Sequence, residues 1–250
     1  MTTVAVLADA PRPGLVLTDL AETTPLSESE AADCYTAMFR DVCGAIAESG
    51  ADLLVNYRAA DDLPEEFADA DPEAELREAL GGVVSNPASV RFEVQVGETL
   101  AGRVGNTVTH LLEEEAVNTA AAVQPTAALL GRQQVDEAAM KLRRSGVTLG
   151  PATDGRVYYA GFADPIDFDD AYAAPSVETL TDRALDEGHE VDFLPMLPVV
   201  EDGADLAGAL TQVRARRRAG RIFPGEFAEF CAEAGLTVVS GTGGLKVVRD

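Results

Sequence analysis

Apolar positions along the chain fall into two patterns that alternate. Short runs rich in β-branched and small residues, TVAVLA (3–8), ADLLVNY (51–57), VRFEVQ (90–95) and NTAAAVQ (118–124), predict strands, the first two of them buried. Between them the spacing becomes helical. Ser27 and Glu30 form a capping-box pattern that opens a long helix, which Gly50 stops. Asp71-Pro72 opens a short helix ending at Gly81-Gly82, and LAGRVGNTVTHLLEEEA (100–116) and LLGRQQVDEAAMKLRRSG (129–146) predict two more. VTLG (147–150) and RVYYAGF (156–162) read as strands flanking a tight turn at Asp154-Gly155. Beyond them Ser176 is expected to cap VETLTDRALDEG (177–188), and HEVDFLPML (189–197) reads as a strand. Helical stretches follow near 204–218 and 225–234, and LTVVSGTGGLKVVRD (236–250) predicts a hairpin with Gly243-Gly244 in its turn.

Strands separated by helices of this length predict an α/β fold, a three-layer sandwich around a mainly parallel, doubly wound sheet, with the hairpin at the C-terminus. No linker, repeat or low-complexity tract interrupts the series, so residues 1–250 are expected to form one domain.

Charge changes the picture more than composition does. The 43 acidic residues outnumber 19 basic ones, the net charge is −24, and Lys141 and Lys246 are the only lysines. Self-repulsion at this density disfavours a compact chain in dilute buffer and is relieved when the Debye length shrinks to ~3 Å at about 1 M salt. The balance resembles that of cytoplasmic proteins of salt-loving archaea; an acidic protein docking on basic partners is the other reading. No basic stripe is available to neutralise phosphates, which argues against nucleic acid as a partner. The one basic cluster, RARRRAGR (214–221), follows an amphipathic segment and is expected to offset a helix C-terminal dipole. No apolar run approaches the ~18 residues of a membrane span, and MTTVAVLADAP lacks the basic flank and long core of a signal peptide. Cys34, Cys43 and Cys231 are too scattered for a disulfide framework or zinc site and are expected as reduced thiols.

Ligands of open α/β sheets sit beyond the carboxyl ends of the strands, so the loops after residues 8, 57, 95, 123 and 150 hold the candidate chemistry. The first, ADAPRPGL, offers Asp9, Arg12 as a cation for phosphate, and Gly14 for close backbone approach, without a P-loop or dinucleotide fingerprint. In QVGETLAGRVGN, Gln95 and Gly97 precede a helix start carrying Arg103; such a start holds an anion, or the glycine serves only the turn. The loop VQPTAALL contains no carboxylate. In GPATDGRVYYAGF, Asp154 and Gly155 form either a place for a metal ion or sugar hydroxyl, or an ordinary β-turn. His110 lies among Val108, Leu111 and Leu112 and His189 follows Gly188, both in packing or surface settings, and neither a serine-hydrolase elbow nor a zinc pattern is present.

Taken in order, these loops resemble the glycosyltransferase-A-like proteins encoded beside radical-SAM and selenium-related genes, relatives of 2-phospho-lactate guanylyltransferase and molybdenum-cofactor nucleotidyltransferase. The resemblance runs over about residues 3–210, leaving 211–250 as an extension. Pro13-Gly14 and Leu17-Thr18-Asp19-Leu20 stand where that family has a Pro-Gly loop and a Lys-Thr-Arg-Leu stretch. SESEAADCYTAMFRDV matches its long helix, Gln95 through Arg103 its Gly-Asp-Leu-Gly-x-Arg element, and GPATDGRVYY its Gly-Pro-x-x-Asp-Gly-Gly-Tyr-Tyr motif. Val123-Gln124-Pro125-Thr126 occupies the place of Gly-Thr-Asp-Cys-Pro, and Ala174-Pro175-Ser176 that of Trp-Ser-Thr. The resemblance implies nucleotidyl or glycosyl transfer, a nucleotide or nucleotide-sugar ligand, and Mg²⁺ or Mn²⁺ on Asp154, with Asp9 replacing the absent Gly-Thr-Asp carboxylate. It also implies an antiparallel edge strand at RVYYAGF and a nucleotide site at Asp9, Arg12, Gly14, Gln95, Gly97, Arg103, Thr126 and Gly155. A module that binds the same ligands without transfer, and an acidic interaction protein, remain the alternatives.

Overall fold

The computed structural model describes all 250 residues, Met1–Asp250. Nine strands and eight α-helices follow one another as β1 (Thr2–Ala8), α1 (Thr18–Thr23), α2 (Glu28–Ala47), β2 (Asp52–Tyr57), α3 (Pro72–Leu80), β3 (Arg91–Val94), α4 (Leu100–Thr109), β4 (Thr119–Val123), α5 (Arg132–Lys141), β5 (Val147–Pro151), β6 (Val157–Phe162), α6 (Ser176–Asp186), β7 (Val191–Phe193), α7 (Gly203–Arg218), α8 (Gly225–Glu233), β8 (Leu236–Gly241) and β9 (Gly244–Arg249). Seven strands form one sheet in the order β3-β2-β1-β4-β6-β5-β7. All neighbours are parallel except β6, which runs antiparallel between β4 and β5. The three-layer expectation holds, but the antiparallel strand is internal and not an edge.

The layers follow from which side of each strand is apolar. Every residue of β1 is buried: Val4, Val6 and Ala8 enter one core with Met38, Phe39 and Val42 of α2, while Ala5 and Leu7 enter the other with Val104 and Val108 of α4. A strand covered on both faces needs no polar alternation, which is why the chain reads as continuous apolar runs there. The capping box of α2 is complete: Glu30 N–H donates to Ser27 Oγ at 3.3 Å and Ser27 N–H to Glu30 Oε2 at 2.9 Å.

Some local expectations are corrected. Ser176 is the first residue of α6 and not its cap; Pro175 precedes it, and the Ser176 hydroxyl donates to the Tyr172 carbonyl at 2.9 Å. HEVDFLPML supplies only three strand residues, because Leu194 and Leu197 N–H instead donate to the carbonyls of Leu149 and Pro151 beside the strand end. The helix over 100–116 is α-helical to Thr109 and closes with a π-helical turn at His110–Glu114. Between the Pro13-Gly14 loop and Ser27 the chain also forms the short helix α1, Thr18–Thr23. The C-terminal hairpin β8–β9 stands apart from the main sheet and turns through Thr242-Gly243. Its Leu236 and Val247 join the buried cluster of α2, α7 and α8. No helix is long and apolar enough to cross a membrane.

Candidate functional site

The carboxyl ends of β1, β2, β3 and β4 open onto one edge of the sheet, where antiparallel β6 begins. A cleft of about 470 Å³, counting its open mouth, lies there; its wall includes Leu100, Gln124, Thr126, Arg156, Tyr172 and Glu201. An apolar pocket of about 230 Å³ continues it beneath α4, between Leu7, Val104 and Ala160. The two share Leu100, Gln124 and Tyr172, so they form one crevice at the edge where open α/β sheets place ligands.

Asp9 follows β1 directly. Its N–H donates to the hydroxyl of buried Tyr35 at 2.9 Å, and its carboxylate accepts Arg58 Nε at 2.5 Å and Nη2 at 2.8 Å. The fork is a side-on bidentate pair, and Asp9 holds the Arg58 guanidinium above its ordinary pKa. Burial raises the Tyr35 phenol, so it stays a neutral donor or acceptor. Gln95, nearly fully buried, ties the end of β3 to β2: its Nε2 donates to the Asn56 carbonyl at 2.7 Å and its N–H to the Tyr57 carbonyl at 2.7 Å.

Gly97 has φ of 130°, and a Cβ there would lie 2.9 Å from Arg103 N and Gly102 C. Only glycine lets this loop rest on the first turn of α4. That turn carries Arg103, three residues after Leu100 and so on the same helix face. Arg103 Nη1 donates to the Glu98 carbonyl at 3.1 Å, its Nε is buried without a partner, and no carboxylate pairs with it. Burial first, then the charge of Arg58, lowers its pKa.

Arg12 and Gly14 point elsewhere. Arg12 is bound by Glu75, with Nη2 at 2.6 Å, and by Asp69 at 2.9 Å, so its charge is already matched by α3 and the loop before it. Gly14, at φ of 77°, would place a Cβ 3.5 Å from Glu28 Oε2 and 3.8 Å from Phe67, shaping the turn beside α2. Thr126 is buried in the cleft wall, with its carbonyl accepting Val200 N–H at 2.9 Å.

Asp154 sits in the left-handed region at φ of 58° and its side chain is 86% exposed. The turn is fixed by its neighbour. Arg156 donates to Asp205 Oδ1 at 2.7 Å, to Glu201 Oε2 at 2.8 Å and to Thr153 Oγ1 at 2.9 Å, while Asp154 Oδ2 is 3.5 Å away. Asp205 first, and then Glu201, raises the Arg156 pKa against the penalty of burial. Gly155, at φ of 72°, would place a Cβ 2.6 Å from Pro175 Cβ, so the turn packs against the loop before α6.

This donor set does not fit a divalent ion at the expected pair. Both Asp9 oxygens are occupied by Arg58, Asp154 does not line the cleft, and the loop after β4 carries no carboxylate. A trio of Glu93, His110 and Glu115 lies elsewhere with ligand atoms within 4.8 Å of one another, but Arg91 already pairs with both glutamates.

The residues that sequence reasoning did not name are Arg58, Tyr35, Arg156, Glu201 and Asp205. Arg58 had a signal, since it directly follows the buried strand ADLLVNY. Glu201 and Asp205 had none, being brought to Arg156 from 45 and 49 residues away.

No protein-family model matches this chain, and no curated protein matches its sequence. Solved structures do match. A crystal structure from Desulfovibrio desulfuricans G20, provisionally designated a nucleotide-diphospho-sugar transferase, superposes with a TM-score of 0.74 at 20% identity, covering 93% of this chain and 94% of that one. A cytidylyltransferase from Leptospira borgpetersenii serovar Hardjo-bovis superposes at 0.50 with 9% identity, over 93% and 94%. The chain therefore has a nucleotide-diphospho-sugar transferase-like α/β fold.

Proposed function

We propose that the crevice binds a nucleotide or nucleotide sugar and that the protein is a divergent nucleotidyl- or glycosyltransferase. The observation that carries this reading is Arg103, a cation without a carboxylate partner at the start of a helix, on the ligand edge of the sheet, in a chain of net charge −24. In this reading the Arg103 side chain holds a phosphate beside the start of α4, whose Gly102 N–H is already capped by Thr99 Oγ1 at 3.0 Å, while Gln95 and Gly97 keep the loop close enough to reach it. Thr126 offers its hydroxyl in the wall, and the Asp154 carboxylate, presented by Gly155 and Arg156, takes a hydroxyl of the acceptor. The reaction class is displacement at phosphorus or at an anomeric carbon. A soluble cytoplasmic setting with small-molecule ligands, without nucleic acid or membrane, is part of the proposal.

The Asp9–Arg58 pair favours a second reading, binding without transfer, because it removes a carboxylate from the chemistry. Turnover separates the two. Nucleoside triphosphates and nucleotide sugars are incubated with Mn²⁺ in molar KCl, and release of pyrophosphate or of nucleoside diphosphate is followed. Turnover abolished by Asp154→Asn supports the transferase; turnover that survives Asp154→Asn refutes the assigned carboxylate; binding without turnover selects the second reading.

A further inference from the structure

Asp9 and Arg58 raise a question of charge. A phosphate chain entering a protein of net charge −24 needs a local cation, and neither candidate carboxylate is placed to supply one through a metal, since Asp9 is taken by Arg58 and Asp154 lies outside the cleft. What the edge of the sheet does supply is two guanidinium groups. Arg58 gives Nε and Nη2 to Asp9, which leaves Nη1 without a protein acceptor and locks the plane of the group. Arg103 gives Nη1 to the Glu98 carbonyl and keeps its buried Nε unbonded. An unpartnered buried donor on a charged group is costly unless a ligand completes it. Geometry brings the two arginines to one corner: Gln95 N–H donates to the carbonyl of Tyr57, next to Arg58, at 2.7 Å, and two residues on Gly97 rests against Arg103 N. The Arg58 charge disfavours that of Arg103, and Asp9 offsets it only in part.

We infer that Arg103 and Arg58 form a phosphate subsite that works without a divalent ion, with Asp9 acting as the positioning residue for Arg58 and not as a metal ligand. This rests on the crevice being a nucleotide site and specifies how its phosphates are neutralised. Guanidinium is suited to the task, since its planar fork meets two phosphate oxygens at once and remains charged at any working pH. Leu100, one helical turn before Arg103, ties the subsite to the crevice, so a diphosphate seated here leaves the rest of its molecule over the cleft.

Inorganic pyrophosphate is the probe, titrated calorimetrically into the full chain at one fixed salt concentration, with EDTA in one arm and Mg²⁺ in the other. The expected result is binding in EDTA within about twofold of that in Mg²⁺, and weakening by at least about tenfold, or ~1.4 kcal/mol, in Arg103→Gln. Asp9→Asn separates the roles: loss of the group that orients Arg58 weakens pyrophosphate binding about threefold or more and equally in both arms, whereas loss of a metal ligand would abolish binding in Mg²⁺ and leave the EDTA arm unchanged. Arg103→Lys, which keeps the charge but loses the fork, is expected between parent and Arg103→Gln, and near-parental circular dichroism of each variant shows that folding is not the cause. Binding that appears only with Mg²⁺ and vanishes in Asp9→Asn overturns the inference while leaving the proposed nucleotide site standing. Absence of binding in both arms, for pyrophosphate and for nucleoside triphosphates alike, overturns both.

Discussion

Arg156 offers the sharpest test of how the cleft is built. It is the only cation reaching Asp205, whose side chain is 8% exposed, and it joins the Asp154 turn to the start of α7. Replacing it by glutamine leaves a nearly buried carboxylate without its counter-charge, a change that costs ~3–5 kcal/mol for fully buried pairs. The arginine side chain is 26% exposed and Asp205 keeps the Glu201 N–H at 3.2 Å, so water and that bond offset part of the loss, and ~2–3 kcal/mol is expected. For a chain of this length the midpoint should fall by roughly 4–12 °C. Urea is the denaturant of choice, because guanidinium chloride would itself screen the charges being measured. Pairing Arg156→Gln with Asp205→Asn should recover about half the loss, since the second change removes the orphaned charge. A single-variant loss below about 1 kcal/mol, the ceiling for exposed pairs, would mean that the arginine is a surface residue and the cleft wall does not depend on it.

Repulsion in a −24 chain predicts a thermal midpoint that rises with KCl between about 0.1 M and about 1 M; an unchanged midpoint would contradict it. Asp41 beneath the start of α8 is raised from 3.8 to about 6, by burial, against the lowering effect of Phe227 and Glu226 N–H. Because its folded pKa lies above its unfolded one, it contributes stability below pH 3.8 that is lost as pH rises through about 6. Asp41→Asn should therefore gain on the parent by up to ~3 kcal/mol across that window, read from urea midpoints at its two ends; a constant difference would refute the assignment. Gly155→Ala should lose ~1–3 kcal/mol, because its left-handed backbone and the contact with Pro175 both resist a Cβ. A parental midpoint would show that the turn is not held there.

The sheet was legible because its strands are covered on both faces: β1, β2 and β4 are written as near-continuous apolar runs, and α2 and α3 between them carry the Ser27 and Asp71 caps and the glycine stops that a sequence displays. The internal place of β6 was not, since an antiparallel partner changes which strands neighbour it without changing its own pattern. At the site, Gln95, Gly97 and Arg103 were readable as a loop meeting a helix start. Arg12 was misjudged as a free cation because its partners, Glu75 and Asp69, lie in the segment after β2, and long-range ion pairing leaves no local signature. Asp9 was named for its position, but position does not tell whether a carboxylate faces a ligand or, as here, an arginine just beyond the neighbouring strand.

Hydrogen exchange of backbone amides, with and without a saturating nucleoside triphosphate, tests the central claim most directly, because it reports where a ligand sits whether or not it reacts. Slowed exchange is expected in residues 95–103, 124–127 and 153–158, the three segments that meet at the carboxyl edge of the sheet. Protection confined to α7, α8 and the C-terminal hairpin, or none anywhere with any nucleotide, would contradict it.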